Sequence, residues 1–63
     1  MNKDELKGNW NQLKGNVRKQ WGKLTDSDVE EASGDRDILV GKLQERYGIA
    51  KAEAEKQVDS LRA

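Results

Sequence analysis

Leu6, Trp10, Leu13, Val17, Trp21 and Leu24 follow one another at steps of 4, 3, 4, 4 and 3. An uninterrupted alternation of threes and fours places all six side chains on one stripe of a helix. The pattern therefore predicts a single long amphipathic helix over residues 2–24. Asn2 is placed to cap it, Glu5 follows three residues later, and Met1 is placed to pack on Leu6. Gly22 is the expected terminator. Thr25-Asp26-Ser27-Asp28 then sets a capping hydroxyl ahead of acidic residues, which suits a helix N-terminus, and Leu24 and Val29 stand at the staple positions. This second helix spans 25–33 and is expected to stop at Gly34. Asp35 caps a third, with Ile38, Leu39, Val40, Leu43 and Tyr47 as its apolar residues and Gly48 as its end. Ile49-Ala50 leads into a fourth, with Glu53 in its first turn and Ala54, Val58 and Leu61 on one face.

The chain also reads as duplicated. Shifting Gly8–Gly22 by 26 residues superposes it on Gly34–Gly48, matching all three glycines and pairing Leu13 with Leu39, Val17 with Leu43 and Trp21 with Tyr47. Beyond the last glycine the shift becomes 25, pairing Asp28-Val29 with Glu53-Ala54. The expected fold is all-α: four helices arranged as two packed αα-hairpins, long-short and long-short, in one domain spanning residues 1–63.

Composition narrows what such a domain does. The 63 residues include neither Cys nor His, which excludes disulfides, thiolate zinc sites and imidazole catalysis. The absence of disulfides in so small a domain points to a reducing, cytoplasmic setting. The longest apolar run, Ile38-Leu39-Val40, is far too short for a membrane span or a signal peptide. Twelve basic and twelve acidic residues cancel, which argues against a dedicated polyanion binder. The cancellation hides a segregation: residues 1–24 carry +4, residues 25–37 carry −5 and the remainder +1. Intramolecular pairing of the basic first helix with the acidic second segment is the simplest expectation.

Gly8-x-Trp10, the run Gln20-Trp21-Gly22-Lys23-Leu24-Thr25-Asp26, and Val40-Gly41-Lys42-Leu43-Gln44-Glu45-Arg46-Tyr47-Gly48 closely resemble the CsbD-like family, and Ala54-Glu55-Lys56-Gln57-Val58 fits its last helix. These are small bacterial proteins of the general stress response. The resemblance covers essentially the whole chain, which departs chiefly in ending soon after Leu61, where some relatives carry a longer aromatic tail. It implies an all-α domain of two helical hairpins and a part in stress adaptation. It implies no reaction and no cofactor, and it carries over no site residues.

Candidate chemistry is sparse. Trp10, Trp21 and Tyr47 lie on the apolar stripes of a domain without Phe, so core packing is preferred over stacking on nucleobases. Lys3, Lys7, Lys14 and Arg18 fall within about 60° of one another on a helical projection. Such a stripe could follow phosphates, but neutral overall charge favours side chains lying over the core edge towards the acidic segment. Tyr47-Gly48-Ile49-Ala50 has only a faint likeness to a helix-hairpin-helix turn, lacking the second glycine. The acids Asp26, Asp28, Glu30, Glu31, Asp35 and Asp37 do not have calcium-loop spacing and read as helix N-terminal charges on a solvated face. No metal, cofactor or catalytic residue is nominated, and an enzyme is not expected.

The glycines spaced by seven form the remaining feature. They project roughly 160° from the apolar stripe in the first helix and roughly 145° from it in the third. Gly22, Gly34 and Gly48 have a local role in ending helices. Gly8, Gly15 and Gly41 have none, and each costs about 1 kcal/mol relative to Ala in an exposed helix. The expected interaction surface is therefore a bare-backbone strip at Gly8, Gly15 and Gly41, flanked by Lys3, Lys7, Lys14 and Arg18, open to a protein partner or a second copy. The leading expectation is a small soluble non-catalytic stress protein acting through protein contacts or self-association. The alternatives are a partly ordered hydrophilic protectant, suggested by a mean hydropathy of −1.08, and a weak nucleic-acid-binding module.

Overall fold

The computed structural model describes residues 3–61, the side chain of Lys3 apart. The expected Asn2 cap, the Met1–Leu6 packing and the Lys3 side chain lie outside the described residues. Among the described residues there are five α-helices: α1 (Lys3–Gly8), α2 (Trp10–Gln20), α3 (Asp26–Ala32), α4 (Arg36–Tyr47) and α5 (Lys51–Asp59). No strand occurs among the described residues.

The count differs from the expected four because the first helix is divided at Asn9, which takes φ −105° and ψ 12°. The hydrogen-bond ladder runs on through the division. Asn9 N–H donates to the Glu5 carbonyl at 3.0 Å, and the Asn9 carbonyl accepts from Gln12 and Leu13 at 3.0 and 2.9 Å. This is a bend rather than an end. Nor does the helix persist to Gly22. Trp21 already leaves it at φ −119° and ψ 79°, its N–H still bonded to the Val17 carbonyl. The ring is thereby carried into the core, where Trp21 is 3% exposed. A tight Leu24 N–H to Trp21 carbonyl bond of 3.0 Å turns the chain towards α3.

The remaining boundaries follow the local chemistry. Thr25 forms a reciprocal capping box. Its hydroxyl accepts from Asp28 N–H at 3.1 Å, and the Asp28 carboxylate accepts from Thr25 N–H at 3.0 Å. At the end of α3 the left-handed cap is Ser33 (φ 46°), not Gly34. Gly34 (φ 83°) has a different reason to be glycine: a Cβ there would fall 2.7 Å from the Lys7 Cα and 3.3 Å from the Leu6 carbonyl oxygen. The bend at Asn9 accompanies this approach of α1 to the α3–α4 turn. Asp35 caps α4 by accepting from Asp37 and Ile38 N–H at 2.9 and 3.3 Å. Gly48 ends it in the left-handed region with φ 64°, its N–H bonded to the Gln44 carbonyl.

The helices pack in chain order, α1 on α2, α2 on α3, α3 on α4 and α4 on α5. The core is the stripes expected from the spacing, Leu6, Trp10, Leu13, Val17, Trp21 and Leu24 against Val29, Leu39, Val40, Leu43, Ala54, Val58 and Leu61, joined by Ala32, which the spacing did not single out. Tyr47 and Ile49 pack at its edge. Ile38 is the exception. Although grouped by sequence with the apolar residues of its helix, it is 41% exposed. At 100° per residue it projects roughly 150° from the mean direction of Leu39, Val40 and Leu43, which turns it off the buried face.

Candidate interaction surface

The helix faces turned to solvent are set by ion pairs beneath and between them. Asp28 is the one buried charged side chain among the described residues, at 2% exposure. The capping box seats it at the start of α3, and Arg46 from the last turn of α4 grips it with two hydrogen bonds, of 2.8 and 3.1 Å. Lys42, one turn earlier on α4, approaches the same carboxylate at 3.6 Å and pairs with Glu31. The Arg46 hydrogen bonds, then the Thr25 N–H, hold the Asp28 carboxyl well below the usual carboxylate range, against the opposing effect of burial. The Glu31 carboxylate raises the Lys42 ammonium above its ordinary value.

This arrangement corrects two sequence expectations. Asp28 is not part of a solvated acidic face, and its charge is met by α4 rather than by the basic first helix. The expected pairing between the first helix and the acidic segment is present at Arg18 and Asp26. At the start of α4, Arg36 bonds to Asp59 at 2.9 and 3.0 Å and to Glu55 at 3.4 Å, tying α4 to α5. Two neutral bonds close the seam. Trp21 Nε1–H donates to the Gln57 side-chain oxygen at 2.9 Å, and Lys23 N–H donates to the Tyr47 hydroxyl at 3.1 Å. The Lys23 ammonium also lies 5.2 Å from the centre of the Tyr47 ring.

Around this frame, the residues singled out by sequence fall as follows. Gly8, Gly15 and Gly41 all face open space: a Cβ built on any of them meets nothing within 4 Å beyond its own helix. Lys7 and Lys14 are exposed, and Arg18 is half-buried. Trp10 is 9% exposed, so neither it nor Trp21 offers a free ring face for stacking. Gly15 lies in a shallow groove between α2 and α3, with Lys14 and Arg18 on one wall and Asp26, Val29 and Glu30 on the other. Gly41 lies in a second groove between α4 and α5, with Val40 and Gln44 facing Lys51 and Glu55. Under the internal repeat these two grooves correspond. Lys14, Gly15 and Arg18 map onto Val40, Gly41 and Gln44, while Asp26 and Glu30 map onto Lys51 and Glu55.

Sequence reasoning missed Arg46, Lys42 and Ile38 as surface determinants, and it gave Gly34 the wrong role. The only advance signal for the first two was an (i, i+4) pair of bases on α4 with an acid at N3 of the preceding helix. That arrangement is too common to single out.

No helix among the described residues is long and apolar enough to cross a membrane. Comparison with known proteins gives the chain its relatives. Residues 4–56 match the family profile described as CsbD-like. UPF0337 protein YjbJ of Escherichia coli O6:H1 is 65% identical over 60 residues, an alignment covering 95% of this chain and 87% of that protein. The YjbJ protein of Escherichia coli K12 is 64% identical over 58 residues, covering 92% and 84% of the two chains. UPF0337 protein PA4738 of Pseudomonas aeruginosa is 53% identical over 58 residues, covering 92% and 89%. A profile match over most of the chain, joined to relatives this similar along nearly their whole length, means that the chain belongs to the CsbD-like family, a general stress-response family.

Proposed function

We propose that this protein is a non-catalytic stress-response domain that works through protein contacts, self-association included, made on the outer face where Gly8, Gly15 and Gly41 leave helix backbone bare. In this reading the molecule is two αα-hairpins, α1–α2 with α3 and α4 with α5, each carrying one glycine-floored groove. The observation that carries it is the open space at all three glycines. Gly15 and Gly41 serve no turn, positive φ or internal close approach, yet each gives up about 1 kcal/mol of helix stability relative to Ala; Gly8 ends α1 beside the bend at Asn9. Bare backbone on an exposed helix lets a second helix come nearer than side chains would allow, the packing that small residues permit. Lys7 and Lys14 beside the strip add a basic margin that would favour an acidic partner.

The test is the double substitution Gly15→Ala, Gly41→Ala. The monomer is expected to gain roughly 1–2 kcal/mol of stability in urea unfolding, while stress survival of a host strain that depends on the protein falls. Undiminished survival with the stabilised variant would falsify this reading.

A further inference from the structure

The chain passes from α3 to α4 through three residues, Ser33, Gly34 and Asp35. That passage is strained. Ser33 is the one non-glycine residue with positive φ among the described residues, at φ 46° and ψ 36°, a left-handed region disfavoured for a residue that carries a Cβ. Gly34 follows at φ 83°. Two left-handed residues in succession reverse the chain so sharply that α4 packs back on α3.

The polar ties of the molecule sort themselves about this turn. Arg18 with Asp26 lies wholly before it, and Arg36 with Asp59 and Glu55 wholly after it. Those that cross join Arg46 to Asp28, Lys42 to Glu31, the Trp21 indole to Gln57 and the Lys23 N–H to the Tyr47 hydroxyl. The apolar side chains cross as well. Those of α1–α3 and those of α4–α5 belong to a single cluster, so neither half buries its stripe alone. An α4–α5 half released from its own chain therefore fits one surface, the seat on α1–α3 that it occupies in this structure. A second copy carries the same seat.

We propose that the α3–α4 turn opens and that two copies of this chain exchange residues 36–61, each α4–α5 half seating on the α1–α3 half of the other. Every tie across the seam is remade between the copies, and Ser33 is released from the left-handed region. A short hinge under strain is what tips such an exchange. The exchange requires the seam to part, and with one core shared by all five helices that amounts to nearly complete unfolding. Conversion is thereby tied to conditions that unfold the chain, and the dimer, once formed, persists. The proposal goes beyond the protein-contact reading and makes no use of the glycine strip.

Refolding the full chain from urea at micromolar and at millimolar concentration, with sedimentation velocity of both samples at one low concentration, tests this. The dimer is expected to grow with refolding concentration and to persist on dilution. It should keep the near-ultraviolet circular dichroism of the monomer, because Trp21 still meets Gln57. Ser33→Gly relaxes the closed turn and is expected to lower the dimer-to-monomer ratio roughly tenfold. Gly34→Ala penalises only the closed turn, through its φ of 83° and the approach to the Lys7 Cα, and is expected to raise that ratio roughly tenfold. Charge reversals at the exposed edge of the seam, Glu31→Lys in one chain and Lys42→Glu in another, identify the interface. Each variant alone opposes like charges, closed or exchanged. Exchange between the two variants sets the reversed residues against each other in one seam and restores the Glu31–Lys42 pair in the other. Co-refolding them is therefore expected to give heterodimer severalfold beyond its random share. A chain that refolds to monomer at every concentration overturns the proposal, as does a dimer that dissociates immediately on dilution or one in which the variants mix at random. Gly15→Ala, Gly41→Ala leaves turn and seam intact and is expected to exchange as wild type does, so this proposal and the protein-contact reading fail separately.

Discussion

Replacing Asp28 with Asn keeps an acceptor for the Thr25 N–H but removes the charge that Arg46 and Lys42 surround. Breaking a buried ion pair from one side costs about 3–5 kcal/mol. Arg46 is 39% exposed and can return partly to water, so Asp28→Asn is expected to lose roughly 2–3 kcal/mol in urea unfolding. The same site sets an acid response. The folded carboxyl titrates below its ordinary value of 3.8, so its contribution is fully present above about pH 4. It is lost as the pH falls further, because the unfolded chain takes up that proton first. Melting temperature followed from pH 6 downward should fall less steeply below about pH 4 in Asp28→Asn than in wild type. Two glycines make a contrasting pair. Gly34→Ala forces a Cβ to 2.7 Å from the Lys7 Cα at a φ of 83° and should cost about 2 kcal/mol or more. Gly15→Ala, with nothing near it, should stabilise. The repeat pairs Gly34 with Gly8, whose Cβ position is open, so an alignment of the two halves hides that difference.

At the level of elements, the seam between the end of α2 and α5 depends on a side chain that leaves its own helix. Trp21 caps α2, turns inward and donates to Gln57. Gln57→Ala strands the indole N–H and should cost about 1–3 kcal/mol, with a weakened near-ultraviolet circular dichroism signal from the tryptophan. The helix starts at Thr25 and Asp35 and the stop at Gly48 were legible in the sequence, because capping is a contact over two to four residues. The division at Asn9, the early exit at Trp21 and the transfer of the α3 cap from Gly34 to Ser33 were not. Each answers to a segment distant along the chain: Gly34 meets Lys7, and Trp21 meets Gln57. Periodicity detects which face of a helix is apolar but does not register a bend that keeps the face.

For the whole molecule, fourteen buried apolar side chains form one cluster shared by all five helices, so no helix has a core of its own. Unfolding is therefore expected to be cooperative, with far- and near-ultraviolet transitions coinciding. At 63 residues the stability should be about 3–9 kcal/mol. A gradual melt with non-coincident transitions would instead favour the partly ordered hydrophilic protectant. The charge pattern also acts at this scale. Its segregation was visible by counting, and its simplest consequence was internal neutralisation. The fold uses α4 to meet Asp28 and Glu31 and leaves Lys7, Lys14 and Lys19 at the surface, which is why association with a further molecule enters.

The sequence alone determined the helical class, nearly all of the buried stripes, the helix caps at Thr25, Asp35 and Gly48, the family likeness and the outward placement of Gly8, Gly15 and Gly41. All of these follow from spacing within one or two helical turns, where geometry is nearly independent of the rest of the chain. The tertiary structure decided which acid is buried and which base meets it, why Gly34 is glycine, and that Ile38 stands exposed. Those depend on residues far apart in sequence being brought within a few ångströms, and the relative placement of helices that achieves this is a property of the packed core rather than of any one segment.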